Sequence, residues 1–184
     1  MTENFDCVVI GAGPAGCTAA TLVAEAGYRT LLLEREKVPR FHVGESLMPE
    51  TYWTLERLGV LDQMKERGFV PKSGVQFVSH SGKESQPFFF RDHDDRESST
   101  TWHVERDRFD EMLFDNAAKK GADCRDETRV SDLKLSDNGP HRIRIRTGQD
   151  EPRHVEARVV IDGSGQSAMI ASRLGLREYN RRLR

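Results

Sequence analysis

The first 34 residues constrain the fold of this chain more than any other stretch. An apolar run, Cys7–Ile10, breaks into the turn Gly11-Ala12-Gly13-Pro14-Ala15-Gly16, and a small-residue helical stretch follows. A second apolar run, Thr30–Leu33, then ends on the acid Glu34. Strand, glycine turn, helix, strand and acid in this order are typical of a βαβ unit that binds a dinucleotide. The sequence therefore predicts an α/β fold with a nucleotide at its first turn.

Each glycine of that turn meets a separate physical requirement. Gly11 permits the tight turn, Gly13 lets the backbone approach a pyrophosphate, and Gly16 lets the helix lie close to the strand. The helix N-terminus adds unpaired N–H groups and about half a positive charge for the phosphates. Glu34 stands 23 positions after Gly11, where a carboxylate can accept both hydroxyls of an adenosine ribose.

Charge and cysteine content exclude several other classes of function. Among 184 residues, 28 Lys and Arg face 30 Asp and Glu, so the net charge is −2 and no basic field attracts nucleic acid. The three cysteines show no metal-ligand or redox spacing, which favours core thiols in a reducing cytoplasm. The polar start and the lack of a long apolar stretch predict neither a signal peptide nor a membrane span.

Hydrophobic periodicity predicts the remaining elements in outline. A helix broken at Gly59 is expected from Leu47 to about Arg67, and a packed strand at Phe88–Phe90. The polar residues 91–100 favour a solvated loop, and a helix is expected from Phe109 to Gly121. Three strands follow at about 129–135, 141–146 and 154–161, of which the last has the composition of a strand buried on both faces.

A second glycine turn, Asp162–Ser167, follows the last predicted strand and leads into a helix at 168–174. By itself such a turn is as well explained by an ordinary connection between strand and helix. Because open α/β sheets bind ligands at the carboxyl ends of their strands, we interpret it as a second wall of the nucleotide site.

Four segments together resemble the p-hydroxybenzoate hydroxylase-like flavoproteins. The glycine turn with Glu34 and Arg35 resembles their FAD fingerprint, and residues 41–49 (FHVGESLMP) resemble the GES loop of the branch that holds the FADH2-dependent halogenases. Residues 104–110 (VERDRFD) are similar to that branch's V-x-R-x-x-F-D segment, and Asp162-Gly163 falls at the class's DG motif. The resemblance implies FAD as cofactor, a Rossmann-like FAD-binding domain with a β-meander, and the start of a mixed-sheet substrate domain.

The resemblance also implies a place along the cofactor for each residue of these motifs. These are Gly11, Gly13, Pro14, Ala15 and Gly16 at the pyrophosphate, Glu34 at the ribose, Arg35 beside the adenine, Arg40 near the outer nucleotide, Gly44, Glu45 and Ser46 at the flavin end, Arg106 at the phosphate or ribityl region, and Asp162 and Gly163 on the second wall. For Arg40 and Arg106 a solvated arginine at a helix start is an equally simple interpretation.

Lys72 bears most directly on the reaction. Residues 68–74 (GFVPKSG) resemble a G-F-x-x-K-x-G-like stretch of the halogenases, whose lysine lies between flavin and substrate. The resemblance implies that the Lys72 ammonium holds and delivers hypohalous acid, a task that suits a charge on a flexible stem. The alternative is a surface lysine that opens a strand after Pro71.

These motifs predict an FAD-binding domain split between residues 1–71 and 105–184, with substrate-domain strands beginning in 72–104. The chain is expected to be truncated, because no strand follows the helix at 168–174 and the Trp-x-Trp-x-Ile-Pro segment of halogenases is missing.

The predicted function is an FAD-dependent oxidoreductase, a halogenase or monooxygenase that acts on an organic, in particular aromatic, small molecule. A separate flavin reductase or NAD(P)H would supply electrons. A reductase of the geranylgeranyl-reductase type and a non-catalytic nucleotide-binding module remain the alternatives.

Overall fold

The computed structural model describes residues 2–178, 180 and 182. Its helices and strands, in chain order, are β1 (Glu3–Ile10), α1 (Pro14–Glu25), β2 (Thr30–Leu33), α2 (Thr51–Leu58), α3 (Leu61–Glu66), β3 (Val70–Lys72), β4 (Gly74–Val75), β5 (Phe88–Phe89), β6 (Thr101–His103), α4 (Arg106–Lys119), β7 (Asp123–Arg125), β8 (Thr128–Lys134), β9 (His141–Thr147), β10 (Arg153–Asp162) and α5 (Met169–Arg173).

Two compact units make up the chain, one of residues 1–40 and 110–184, the other of residues 41–109. The second unit therefore begins earlier than the predicted substrate-domain segment, 72–104, and ends later. Assignment of 72–104 to a substrate domain stays a prediction. Of the predicted domain ranges, residues 1, 179, 181, 183 and 184 lie outside the described residues.

The first unit is built on a six-stranded mixed sheet with the order β7-β2-β1-β10-β9-β8. The pairs β7-β2, β2-β1 and β1-β10 are parallel. The pairs β10-β9 and β9-β8 are antiparallel and form a meander. This confirms the predicted mixed α/β fold with its β-meander. In the register, Ile10 pairs with both Leu33 and Asp162, so the first glycine turn, Glu34 and the second glycine turn leave the sheet at one edge.

Apolar alternation along the strands produces the core of this unit. Phe5, Val8 and Ile10 of β1 pack with Leu31 and Leu33 of β2 and with the meander, and all four residues of β2 are buried. The expectation that β10 is buried on both faces is wrong. Only Val155 and Ala157 are buried, the residues between and after them are half-buried or exposed, and Val159 is 52% exposed.

The second unit differs from the predicted elements in three places. The helix expected from Leu47 begins only at Thr51, since residues 45–47 pair with β6 instead. Phe88 and Phe89 form a short strand but are exposed, so only Phe90 is packed as expected. The loop 91–100 contains two short 3-10 turns and buries Ser98 and Ser99, and is therefore less solvated than expected. In the first unit, the short strand β7 had not been predicted.

The expectation of core thiols is met at Cys7 and Cys17, which are buried, while Cys124 is half-buried. Burial raises the pKa of all three thiols, that of Cys124 to about 12. Few thiolates therefore exist near neutral pH, and reactivity should grow only as the pH rises toward these values.

We expect iodoacetamide at pH 8 to label each of the three thiols in the native chain to less than about a tenth of its level in guanidinium chloride. Peptide mapping after a short exposure measures this. Fast native labelling of Cys7 or Cys17 would contradict the burial of these side chains.

Within the part of the chain that the structure describes, every helix is too short or too polar to cross a lipid bilayer.

Candidate functional site

The two glycine turns of the first unit pack against each other. Gly11 has a φ of +97°, and a Cβ built there would lie 2.6 Å from the carbonyl oxygen of Gly163. A Cβ on Gly16 would lie only 1.8 Å from the carbonyl oxygen of Gly11. The N–H of Gly163 donates to the carbonyl of Ile10 at 2.9 Å. These glycines are required by backbone packing, and the structure brings the predicted second wall against the first turn.

Gly13 has a different surrounding. Apart from its two chain neighbours, no described residue has an atom within 4 Å of a Cβ built on it, and its φ of −77° is open to any residue. Helix α1 starts at the next residue, Pro14, so the N–H groups of Ala15 and Gly16 belong to the first turn, which lacks internal acceptors. The open space at Gly13 in front of a helix N-terminus fits a pyrophosphate.

Glu34 lies where the sequence predicts it, beside the first glycine turn, and is only 6% exposed. Its Oε2 accepts a hydrogen bond from the N–H of Ala12 at 3.0 Å. Its Oε1 accepts another from the N–H of Glu36 at 3.1 Å. The carboxylate is thus held by the backbone on both sides, in a position that fits the adenosine ribose of a nucleotide whose phosphates lie at the turn.

Arg40 is buried beside Glu34, so the interpretation as a solvated arginine is wrong. Its Nη2 donates to Oε2 of Glu34 at 3.1 Å, and its Nη1 donates to Oδ2 of Asp110 at 2.7 Å. Burial lowers the pKa of Arg40, but the hydrogen bond to Asp110 and the charges of both acids outweigh it and raise that pKa.

Asp110 was not among the predicted site residues, although it ends the segment that resembles V-x-R-x-x-F-D. Its side chain is fully buried. No local pattern indicates its partner, because Arg40 lies 70 positions away.

Two further predicted contacts with FAD involve side chains that bond to their own neighbours. Arg35 is largely exposed and its Nε lies 3.2 Å from Oε1 of Glu36. Asp162 accepts hydrogen bonds from the N–H and hydroxyl of Ser164 and, at 2.7 Å, from the N–H of Ile170. Asp162 therefore shapes the second turn, and its contact with FAD stays a prediction, as does that of Arg35.

In the second unit, the GES loop is pinned to β6 and to the start of α4. The N–H of Val104 donates to the carbonyl of Glu45 at 2.8 Å. Arg106 Nη1 donates to the carbonyls of Val43 and Gly44, at 2.9 and 3.3 Å. Arg106 thus holds the loop in shape, while Gly44, Glu45 and Ser46 remain exposed.

Lys72 is 7% exposed, so the interpretation as a surface lysine is wrong. Its Nζ donates to the carbonyl of Leu47 at 3.0 Å and lies 5.5 Å from the centre of the Phe90 ring. Among the described residues no carboxylate pairs with this ammonium. Because Leu47 belongs to the GES loop, this hydrogen bond places Lys72, the last residue of β3, against that loop.

The profile of the FAD binding domain family matches residues 4–182. A 1H-pyrrole-2-carbonyl-[peptidyl-carrier protein] chlorinase of Pseudomonas fluorescens is 33% identical over 192 residues, 96% of this chain and 42% of that enzyme. The structure of the myxobacterial chondrochloren halogenase CndH has a TM-score of 0.83 and 39% identity, over 90% of this chain and 38% of that one. A flavoprotein/dehydrogenase from Cytophaga hutchinsonii has a TM-score of 0.86 and 38% identity, over 94% and 42%.

The chain spans about two fifths of the length of these relatives. The match over 4–182 includes both glycine turns, Glu34 and the GES loop, and it confirms the predicted cofactor. This chain belongs to the family of FAD-binding domains, and its cofactor is FAD.

Proposed function

We propose that this chain is the FAD-binding part of a flavin-dependent halogenase. The observation that carries the proposal is the buried ammonium of Lys72, which is bound to one carbonyl and lies near the Phe90 ring. A fully charged lysine is rarely buried without a carboxylate partner, because desolvation of the ammonium is costly. A functional demand for a cation explains why the chain keeps it there.

The amino group of Lys72 can donate three hydrogen bonds. The carbonyl of Leu47 accepts one at 3.0 Å, and Sδ of Met48 lies 3.9 Å from Nζ as a weak second acceptor. The remaining donor suits a small, polar oxidant such as hypohalous acid. In the proposed reaction Lys72 donates a hydrogen bond to that acid and directs its electrophilic halogen to an aromatic carbon. The carbon–halogen bond forms as the oxygen–halogen bond breaks, and the ring proton and the hydroxide leave as water. Attachment to Leu47 keeps Lys72 against the loop that the resemblance places at the flavin end.

The other site residues would bind and orient the cofactor. The first glycine turn would hold the pyrophosphate and Glu34 the ribose, while Arg106 keeps Gly44, Glu45 and Ser46 in shape at the flavin end. When bound and reduced, FAD supplies the oxygen activation that the protein itself cannot perform. In this proposal residues 72–104 begin the substrate domain.

The proposed substrate is a small aromatic molecule. The chlorinase from Pseudomonas fluorescens acts, by its name, on a pyrrole carbonyl group attached to a peptidyl-carrier protein, so carrier attachment is one form the substrate can take. We propose a separate flavin reductase or NAD(P)H as electron source. The three free cysteines favour a reducing cytoplasm.

A flavin-dependent reductase is the second candidate. The supporting observation is the Cytophaga hutchinsonii flavoprotein/dehydrogenase, which is as similar to this chain as the halogenase CndH. Such an enzyme would need no halide, and Lys72 would then serve to hold the end of the GES loop.

We expect Lys72→Met to lower halogenation at least about 100-fold, because the group that holds the oxidant is lost. Methionine fills the space of the lysine stem, so FAD binding should stay within about twofold of wild type. The protein that carries this chain is supplied with FAD, a flavin reductase, NADH, oxygen and bromide. Brominated products from pyrrole, indole and phenol are measured by mass spectrometry.

Lys83→Met is the matched control, since Lys83 is an exposed lysine of the same unit. Its activity should equal that of wild type. Undiminished halogenation by Lys72→Met would remove the main support for the proposal. Flavin oxidation without any bromide-dependent product would favour the reductase.

A further inference from the structure

We propose that Arg40 and Asp110 are positioning residues that fix Glu34 so that its carboxylate offers a single acceptor to the adenosine ribose of FAD. The three side chains form a buried row, Glu34–Arg40–Asp110, within the first unit. Their side chains are 7%, 7% and 0% exposed.

The number of hydrogen bonds on Glu34 limits what a ribose can find there. A carboxylate has about four acceptor positions, two on each oxygen. Oε2 already accepts from the N–H of Ala12 and from Nη2 of Arg40. Oε1 accepts from the N–H of Glu36. One position therefore remains, on Oε1, and only one ribose hydroxyl can use it.

Arg40 decides which oxygen is left. Its guanidinium and the Ala12 N–H occupy Oε2 together, so the open acceptor position lies on Oε1. The guanidinium has five N–H donors in a planar fork and could rotate if it were held at one end only. Nη1 is held by the fully buried carboxylate of Asp110 at 2.7 Å, so the fork cannot leave Glu34 without breaking a buried ion pair.

Asp110 thereby acts on the nucleotide through two other side chains. Without it, Arg40 can swing toward solvent or bind Glu34 through both oxygens, and the free position on Oε1 is lost or moved. The consequence is specific to the ribose, because the pyrophosphate is held by the glycine turn and not by this row.

The experiment uses ADP, 2′-deoxy-ADP and 3′-deoxy-ADP as probes of the full-length protein after removal of FAD, with affinities from calorimetry. In the wild type we expect one deoxy analogue to bind about tenfold more weakly than ADP, as for loss of a hydrogen bond to a charged group, and the other to bind within about twofold. Equal losses for both analogues, or no loss for either, would overturn the single-acceptor arrangement.

Asp110→Ala then tests the positioning role. The dissociation constant of the sensitive analogue, divided by that of ADP, should fall from about tenfold to below about threefold. Asp110→Asn should restore this ratio, since the amide oxygen of asparagine can still accept a hydrogen bond from Arg40. Asp107→Asn, an exposed acid on the same helix, should keep the ratio. If Asp110 only supported the fold, its loss would weaken the binding of all three nucleotides by the same factor and leave the ratio unchanged. That result would refute the proposal.

Discussion

Gly16→Ala is expected to destabilise the FAD-free protein by about 3 kcal/mol or more. The added methyl group would lie 1.8 Å from the carbonyl oxygen of Gly11. That oxygen is a backbone atom, and the methyl carbon is bonded directly to the backbone. No rotamer change can relieve that overlap, so helix α1 must move away from β1 and lose the packing between them. Urea unfolding of the FAD-free protein measures the effect, read as a lower midpoint at an unchanged slope.

Gly13→Ala is the matched comparison in the same turn. Beyond its two chain neighbours, its methyl group would meet no described residue within 4 Å, and its φ of −77° suits alanine. Stability without FAD should therefore change by less than about 0.5 kcal/mol. The affinity for FAD should fall by about tenfold or more, because the methyl group enters the space reserved for the pyrophosphate. Unchanged FAD binding in Gly13→Ala would show that the phosphates lie elsewhere.

Arg40→Met is expected to destabilise the protein by about 3–5 kcal/mol, the largest effect of any single side chain in the site. Methionine fills much of the space of the arginine stem, so the loss comes from charge and not from a cavity. The substitution leaves Glu34 and Asp110 as two buried carboxylates without the cation that they share, so a large part of their desolvation cost is no longer offset. Unfolding of the FAD-free protein in urea measures it.

Arg35→Met removes a neighbouring arginine whose side chain is 65% exposed and pairs only with Glu36. An exposed ion pair contributes little to stability, so the free energy of unfolding of Arg35→Met should stay within about 0.5 kcal/mol of wild type. A similar loss of stability in Arg35→Met and Arg40→Met would mean that the destabilisation does not come from the buried row Glu34–Arg40–Asp110. A loss below about 1 kcal/mol for Arg40→Met would mean that water or a rearranged side chain replaces the guanidinium.

The elements that the sequence predicts are those whose physical cause is local. The first glycine turn is recognisable from the sequence, because the positive φ of Gly11 and the contact of Gly16 with Gly11 both arise within one βαβ unit. The strands of the meander follow from the alternation of apolar and polar residues and from the turn residues between them. Most of the predicted strand ends differ by one residue from the observed ends of β8, β9 and β10. The FAD assignment followed from the same segment together with the GES loop.

Burial of charged side chains could not be predicted in this way. Arg40 and Lys72 each follow a proline in segments without a clear periodic pattern, where a solvated side chain is one of two open interpretations, yet both are buried. The strand β7 was missed because three residues, Asp123–Arg125, carry no periodic signal, and its pairing with β2 supplies the hydrogen bonds.

What the sequence by itself determined is the first βαβ unit, the strands of the meander and the cofactor FAD, since each depends on neighbours that are close in the chain. Only the tertiary structure decided that Asp110 holds Arg40 and that Lys72 holds Leu47. These contacts join residues 70 and 25 positions apart. The physical reason is that the energy of a charged side chain is set by its surroundings after folding, through desolvation and the partner that packing brings within reach.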